Sequence, residues 1–362
     1  MAQRTPQTGR QPASFGLRAI AALAAIALLG LASGCATRLP GSFSIDNPYG
    51  RVNWQEDGRY KASLHTHTKA SDGAMYPHEV IDRYKALDYD ILAITDHDHV
   101  SYPWTGLSKL YGKKYENRDP DEVGMLDIPG NELSKHHHMG SYWTRYKGKR
   151  KEVWSLISTR LRGGQVMMNH PGRYGKKASW YVKLFKRFDH LTGIEVYNQG
   201  DRYSGDRKKW DEILTLIMPH RPVWGYSNDD MHKLPHLGRN WNVFVLPRLS
   251  DRWIRKGMKD GLFYFVYAPK GHKGAKPPEI ESIKVDEKRM TIRINATGCK
   301  SIEWIADGKV VASGPELNMG TTMGINHYVR AVLHGPKDGT LAGTQPFGIR
   351  GLPSPETPVS QN

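Results

Sequence analysis

Two periods alternate through the middle of the chain. Short apolar runs of strand length occupy residues 91–94, 125–129, 164–169, 193–197, 223–227 and 241–246. Between them, apolar residues recur every three or four positions. Val80, Ile81, Tyr84 and Leu87 predict a helix over 76–87, and the same spacing predicts helices over 151–161, 178–188, 208–218 and 250–259. A seventh strand carries His65-Thr66-His67. Strands that alternate with helices in this way predict an α/β barrel over residues 58–268, ending with the apolar run 262–267.

After residue 268 the texture changes. A Lys-, Gly- and Pro-rich linker is expected over 269–279, followed by short alternating runs at 282–285, 290–294, 301–305 and 328–333, with Asp307-Gly308 placed for a hairpin turn. These runs predict a small antiparallel β-sandwich domain over 280–351, and the Pro-rich residues 352–362 read as a disordered tail.

The first residues read differently again. Arg4, Arg10 and Arg18 precede an apolar stretch over 19–31, too short to span a bilayer comfortably, and Leu31-Ala32-Ser33-Gly34-Cys35 then places small residues before a cysteine. Residues 1–34 are therefore expected to be a lipoprotein signal peptide, Cys35 the lipidated first residue of the mature chain, and residues 35–57 a Pro-, Gly-, Ser- and Asn-rich tether. The chain has 2 cysteines, so lipidation of Cys35 would leave Cys299 without an internal partner. Ala36 after the lipobox resembles the sorting signal of an outer-membrane lipoprotein facing the periplasm, if the cell is Gram-negative. The formal net charge of +16 favours anionic partners: a phosphorylated substrate, membrane headgroups or nucleic acid, the last not favoured. The basic runs over 147–151 and 207–209 read as solvated faces.

The candidate chemistry is concentrated in histidines and acids at strand ends. Side chains two apart on a strand share a face, so His65 and His67 can reach one ion. Ser71-Asp72-Gly73 forms a turn that returns a carboxylate, and Thr95-Asp96-His97-Asp98 ends the next apolar run. Gly130-Asn131-Glu132, Asn169-His170-Pro171, Gly193-Ile194-Glu195 and Asp230-Met231-His232 follow in order. This series resembles the PHP (polymerase and histidinol phosphatase) family of metal-dependent phosphoesterases over about residues 60–268. The resemblance implies a distorted seven-stranded (β/α)7 barrel holding two or three divalent ions of zinc, manganese or iron.

Carried over from the family, His65, His67, Glu132 and Asp230 would hold a first ion. Glu132, one histidine of His136-His137-His138, and His170 would hold a second, and Asp72, His97 and His232 a third. Spacing to Gly140 favours His137 within its run, with His138 close behind, while Asp229 rivals Asp230. Glu195, Asp96 and Asp98 are expected behind the ligands, with Asp96 and Asp98 orienting His97. Arg173 and Arg239 are placed to bind substrate phosphate, and Glu132 and Asp230 are the residues expected to act in catalysis.

Such a cluster lowers the pKa of bridging water and clamps phosphoryl oxygens, which makes hydrolysis of a phosphate ester at the cell envelope the expected reaction. A phosphodiesterase or nuclease acting on nucleotides or nucleic acid is the first alternative. A non-catalytic metal-binding lipoprotein is the second. No Ser-His-Asp triad, P-loop or dinucleotide fingerprint accompanies the histidines. Protein partners are not legible.

Overall fold

Phe263–Tyr267 shows how the chain is assembled. Its five residues are all large and apolar or aromatic, and alternate side chains enter different cores. Phe263 and Phe265 pack with the helices of the catalytic region, while Tyr264 and Val266 pack with isoleucines of the C-terminal strands. The neighbouring strand Asn240–Leu246 divides in the same way, with Phe244 and Leu246 on one side and Val243 and Val245 on the other. A strand buried on both faces reads as a continuous apolar run.

The computed structural model describes residues 43–148 and 150–352. The expected signal peptide, the lipidated Cys35, the first part of the tether and all but the first residue of the tail lie outside the described residues. The fold is mixed α/β, with strands in sheets of eleven, five and three. The eleven-stranded sheet runs through Gly58–Ser63, Ile91–Leu92 and Leu126–Asp127, parallel to one another, and continues antiparallel through Asn240–Leu246 and Phe263–Tyr267. The five-stranded sheet contains Gly130–Leu133, Met139–Tyr142, Gln165–Met168, Leu191–Asn198 and Trp224–Asn228, its last three strands parallel.

Among the described residues no continuous ladder closes these strands into the expected barrel. The two sheets meet at single bridges, Thr66 with Met231 and His97 with Glu132. Both seams fall among the candidate ligands. The strands separate where the histidines and carboxylates need room, so the ladder is interrupted there.

The expected boundary at residue 268 also changes. Leu341–Gly343 pairs antiparallel with Phe263–Tyr267, placing the C-terminal strands in the same sheet as the catalytic ones. Glu279–Asp286, Thr291–Thr297 and Glu316–Asn318 form the three-stranded sheet that covers this region, with Ile280, Ile283, Ile292 and Ile294 in a shared core. A separate sandwich would have left the edge of Phe263–Tyr267 unpaired, and the shared ladder covers it. The later part of the expected tether is likewise built in: Ser44–Asp46 pairs with Phe347–Arg350, and the buried Tyr49 hydroxyl donates to the Phe263 carbonyl at 3.0 Å. Its Pro, Gly and Asn residues make turns against the body instead of a free spacer.

The helices follow their sequence signals. Pro77–Lys85 starts with Pro at its first position and Glu79 accepting from the Tyr76 amide at 2.7 Å, and it buries Val80, Ile81 and Tyr84. Ala178–Arg187, Gly205–Ile217 and Asp251–Asp260 bury one face each against the sheets.

Candidate metal centre

His65 and His67 continue the line of Gly58–Ser63, with Thr66 between them turned away to bond Thr95 and Met231. The two imidazoles converge, Nε2 to Nε2 at 3.1 Å. Asp72 arrives on a tight turn in which the Ser71 and Gly73 amides both donate to the Thr68 carbonyl. A side chain on Gly73 would sit 2.6 Å from the His67 carbonyl group, so the turn requires glycine. His97 and Glu132 enter from the second seam, and Asp230 and His232 from the end of Trp224–Asn228.

Glu132 lies at the centre. It is buried, and its carboxylate meets His65 at 3.2 Å, His97 at 2.9 Å, His138 at 3.1 Å, His170 at 3.3 Å and the Asn169 amide at 2.8 Å. Asp230 meets His67 at 3.0 Å and His65 at 3.3 Å, and Asp72 meets His97 and His232 at 3.3 Å each. Ligand atoms held at ~2.1 Å from a common ion lie roughly 3.0–3.4 Å apart, so these separations match shared coordination.

Burial alone would raise the Glu132 carboxyl pKa, but His65, His138 and His170 outweigh it and hold the group well below its ordinary range. Asp230 is held low in the same manner, against its own burial, by His65 and His67. Hydrogen bonds from His232 and His97 hold Asp72 low. Three ionised carboxylates in one pocket require positive charge beside them, which protonated histidines or bound ions supply. Nδ1 of His97 and His138 lie 2.9 and 3.1 Å from the Glu132 carboxylate, and Oδ1 of Asp230 lies 3.0 Å from His67, yet none of these buried atoms is aligned for a hydrogen bond. Overlapping groups of His67, Asp72, His97 and His232, of His65, His170 and Asp230, of His65, His67 and Glu132, and of His97, Glu132 and His138 could each hold an ion. The residues fit divalent ions, and the mixture of imidazole nitrogen and carboxylate oxygen suits zinc, manganese or iron.

The expectation for the histidine run is corrected. In the antiparallel pair Gly130–Leu133 with Met139–Tyr142, Glu132 lies opposite Gly140. Side chains at 140 and 138 then share the face of Glu132, while 137 and 139 point to the other. His138 accordingly reaches Glu132. His137 turns into the core, where its Nε2 meets the Tyr181 hydroxyl at 2.8 Å and its ring stacks on Tyr174 at 4.1 Å. Burial lowers the His137 pKa to about 3, keeping the ring neutral. His138→Ala is expected to lower bound metal and cut activity about 100-fold or more. His137→Phe is expected to retain metal while costing ~0.5–1.5 kcal/mol of stability through the lost bond to the Tyr181 hydroxyl, which keeps the Pro171 carbonyl as acceptor. Elemental analysis and thermal melting of the two variants check this.

The other positions divide clearly. Asp229 is not in the cluster; it is buried, and it accepts from the amides of Gly238, Arg239 and Asn240. Burial outweighs those bonds and raises its pKa to about 6. Glu195 orients the ligands, bonding His65 Nδ1 at 2.9 Å and accepting from the His170 amide and from Asn198 and Asn228. Asp96 and Asp98 were expected to orient His97, yet neither bonds its ring. Asp96 instead fixes the Asp72 turn through Thr68, Ser71 and Ser101, and Asp98 binds Ser134.

His170 and Asp230 have left-handed backbones, with φ of 28° and 42°, a strained geometry common at functional sites. Arg173 is exposed beside Tyr174, whose hydroxyl accepts from the His138 amide at 3.1 Å. Arg239 differs from expectation: its Nε donates to the Pro269 carbonyl at 2.8 Å, and it lines a cavity containing none of the cluster residues, because its amide is committed to Asp229. Sequence reasoning gave no role to Asn169 or Tyr174, although Asn169 sits inside the Asn169-His170-Pro171 motif.

Exposure is graded across the site. The side chains of His65 and His67 are fully buried, those of His97 and His232 about a quarter exposed, and that of Asp72 51% exposed. Solvent therefore reaches the site from the Asp72 side.

No protein-family model and no curated protein matches the chain. Solved structures similar to it include two described as metal-dependent phosphoesterases, one of them PHP-like, and an amidohydrolase. One is a two-domain protein from Bacteroides vulgatus described as containing a predicted PHP-like metal-dependent phosphoesterase, 13% identical, with 85% of this chain and 91% of that chain covered and a TM-score of 0.48. Another, from Bifidobacterium adolescentis, is described as a candidate metal-dependent phosphoesterase, 15% identical over 49% of this chain and 90% of that one, with a TM-score of 0.34. The third is an amidohydrolase from Chromobacterium violaceum with bound sulfate and no metal, 19% identical over 47% of this chain and 87% of that one, with a TM-score of 0.32.

Proposed function

We propose that the protein is a metal-dependent phosphoesterase of the PHP kind, its catalytic strands arranged as a distorted (β/α)7 barrel opened at its two seams, and that it hydrolyses a small phosphate ester. The observation that carries this reading is the carboxylate of Glu132 surrounded by His65, His97, His138 and His170 at 2.9–3.3 Å. His65, His67, Asp230 and Glu132 would hold one ion, Glu132, His138 and His170 a second, and Asp72, His97 and His232 a third. Ions in such a site supply Lewis-acid stabilisation of phosphoryl oxygens and acidify water.

The chain's own residues do the rest. Glu195 fixes the His65 ring and the backbone at His170, and Asn169 holds one oxygen of Glu132. Asp96 holds the turn that presents Asp72. Arg173, unpaired by any acid among the described residues, is the group suited to take a substrate phosphate in a bidentate contact. The graded exposure disfavours a purely structural metal site, which would be closed on all sides.

Hydrolysis of p-nitrophenyl phosphate against its bis ester separates the monoesterase from the phosphodiesterase reading, and loss of both activities on chelation is expected. Neither activity in metal-reconstituted protein would overturn the proposal. Arg173→Ala is expected to keep its metal and to lower kcat/KM by roughly 10- to 150-fold, the ~1.5–3 kcal/mol of a hydrogen bond to a charged group. Loss of metal in that variant would instead make Arg173 a support of the site.

We further propose that the enzyme acts at the cell envelope, anchored by lipid on Cys35. The support is the run Leu31-Ala32-Ser33-Gly34-Cys35 behind an apolar segment. No helix among the described residues is long and apolar enough to cross a membrane. Cys35→Ala is expected to shift the protein from the membrane to the soluble fraction. An unchanged distribution, with no lipid label on the wild type, would remove the anchor.

A further inference from the structure

The cavity lined by Arg239 has a volume of about 480 Å³, and none of the candidate ligands lines it. One wall is the end of the helix Pro77–Lys85, with Arg83 and Leu87. Another is the segment after His232, with Leu234, Leu237 and Arg239, and a third carries Lys270 and Lys273. Four cationic side chains line this space, Lys270 among them already paired with Asp338, and no carboxylate lines it.

Nearby acids are already engaged. Asp82 is bonded to Arg118 at 2.8 Å, and Asp338 to Lys270 at 2.7 Å. Asp229 is buried against the amides of Gly238, Arg239 and Asn240. Arg83 and Lys273 have no ion-pair partner among the described residues. Arg239 is held by its Nε bond to Pro269, which fixes the guanidinium while its terminal nitrogens keep no hydrogen-bond partner among the described residues. A pre-oriented guanidinium loses less freedom on taking an oxyanion. Like charges gathered around a half-enclosed apolar floor repel one another until an anion enters.

We propose that this cavity is an accessory binding site for a small organic anion that carries phosphate or similar oxyanion groups on an apolar body. The cations take the oxyanions, and Leu87, Leu234 and Leu237 take the body. The volume of about 480 Å³ suits a small ligand.

Naphthalene trisulfonate, which has this chemistry and contains no ester to hydrolyse, is a suitable probe. Fluorescence titration of the full, metal-loaded chain is expected to show saturable binding at about one site per chain. The double variant R83E/K273E is expected to weaken it roughly tenfold or more, with bound metal and melting temperature unchanged. If charge reversal lowers the melting temperature, R83Q/K273Q at wild-type stability gives the same reading. Equal affinity in the variant, no saturable binding at all, or loss of binding when the metals are chelated would each overturn the proposal. The last result would place the probe on the metal centre.

Discussion

Glu132→Gln is expected to lose most of its bound metal and to lower turnover by about 10³-fold or more, the largest effect of any single substitution in the site. The side chain is 1% exposed and accepts contacts from five imidazoles, those of His65, His67, His97, His138 and His170, and from one amide. Glutamine keeps the shape but removes the negative charge and turns one acceptor oxygen into an N–H donor. Asn169 already aims a donor at Oε1, so the new amide must direct its nitrogen at His97 and His67 on the other side. Each ion sharing Glu132 loses an anionic ligand, while the remaining carboxylates Asp72 and Asp230 stay in place. Elemental analysis of the purified variant, read beside its melting curve, separates lost metal from lost fold. Full metal content with full turnover would mean that Glu132 does not bridge, and the roles given to His138 and His170 would have to be redrawn.

Much of the site can be read from sequence because it rests on local periodicity. His65 and His67 share a face through strand alternation, and Asp230 and His232 are separated by the same interval. The choice between His137 and His138 was not local. It depends on which residue opposes Glu132, and the pairing strands Gly130–Leu133 and Met139–Tyr142 are four residues each, with a polar, histidine-rich connection that carries no strand signal. A register error of one residue moves a side chain to the opposite face, and the preference for His137 is such an error. Arg239 failed for a related reason: its position in the sequence places it near the ligands, but the Asp229 carboxylate, which gathers three successive amides, directs its side chain to Pro269. The longer strands and helices of the catalytic region were legible from their periods, whereas the strands Gly130–Leu133 and Met139–Tyr142 and the short helices Leu107–Tyr111 and Pro120–Val123 were not. The shared sheet was not, because which edge an antiparallel strand covers depends on contacts across many residues, such as those of Phe265 with Gly343.

That shared sheet leads to the second large expected effect. A chain ending at residue 279, the end of the linker that a two-domain reading expects, is expected to show no cooperative melting transition and to aggregate on expression. Removing the later strands uncovers Val243, Val245, Tyr264 and Val266, each now 9% exposed or less. At roughly 1.5–3 kcal/mol for each large apolar side chain, that is roughly 6–12 kcal/mol, comparable to the ~5–15 kcal/mol that holds a typical domain folded. Polar ties would go as well. The Gln345 side chain bonds both the amide and the carbonyl of Gly225 at 2.8 and 2.9 Å, and the buried Arg330 pairs with Asp211 on the helix Gly205–Ile217 at 2.7 Å. Loss of Arg330 would leave the Asp211 carboxylate without its guanidinium, and loss of Gln345 would leave two groups of Gly225 unpaired in the strand that leads to Asp230. Calorimetry and metal analysis of the truncated chain test this directly. A soluble fragment that melts cooperatively and retains its metal would show that the catalytic half carries its own stability and that the shared sheet is an addition to it.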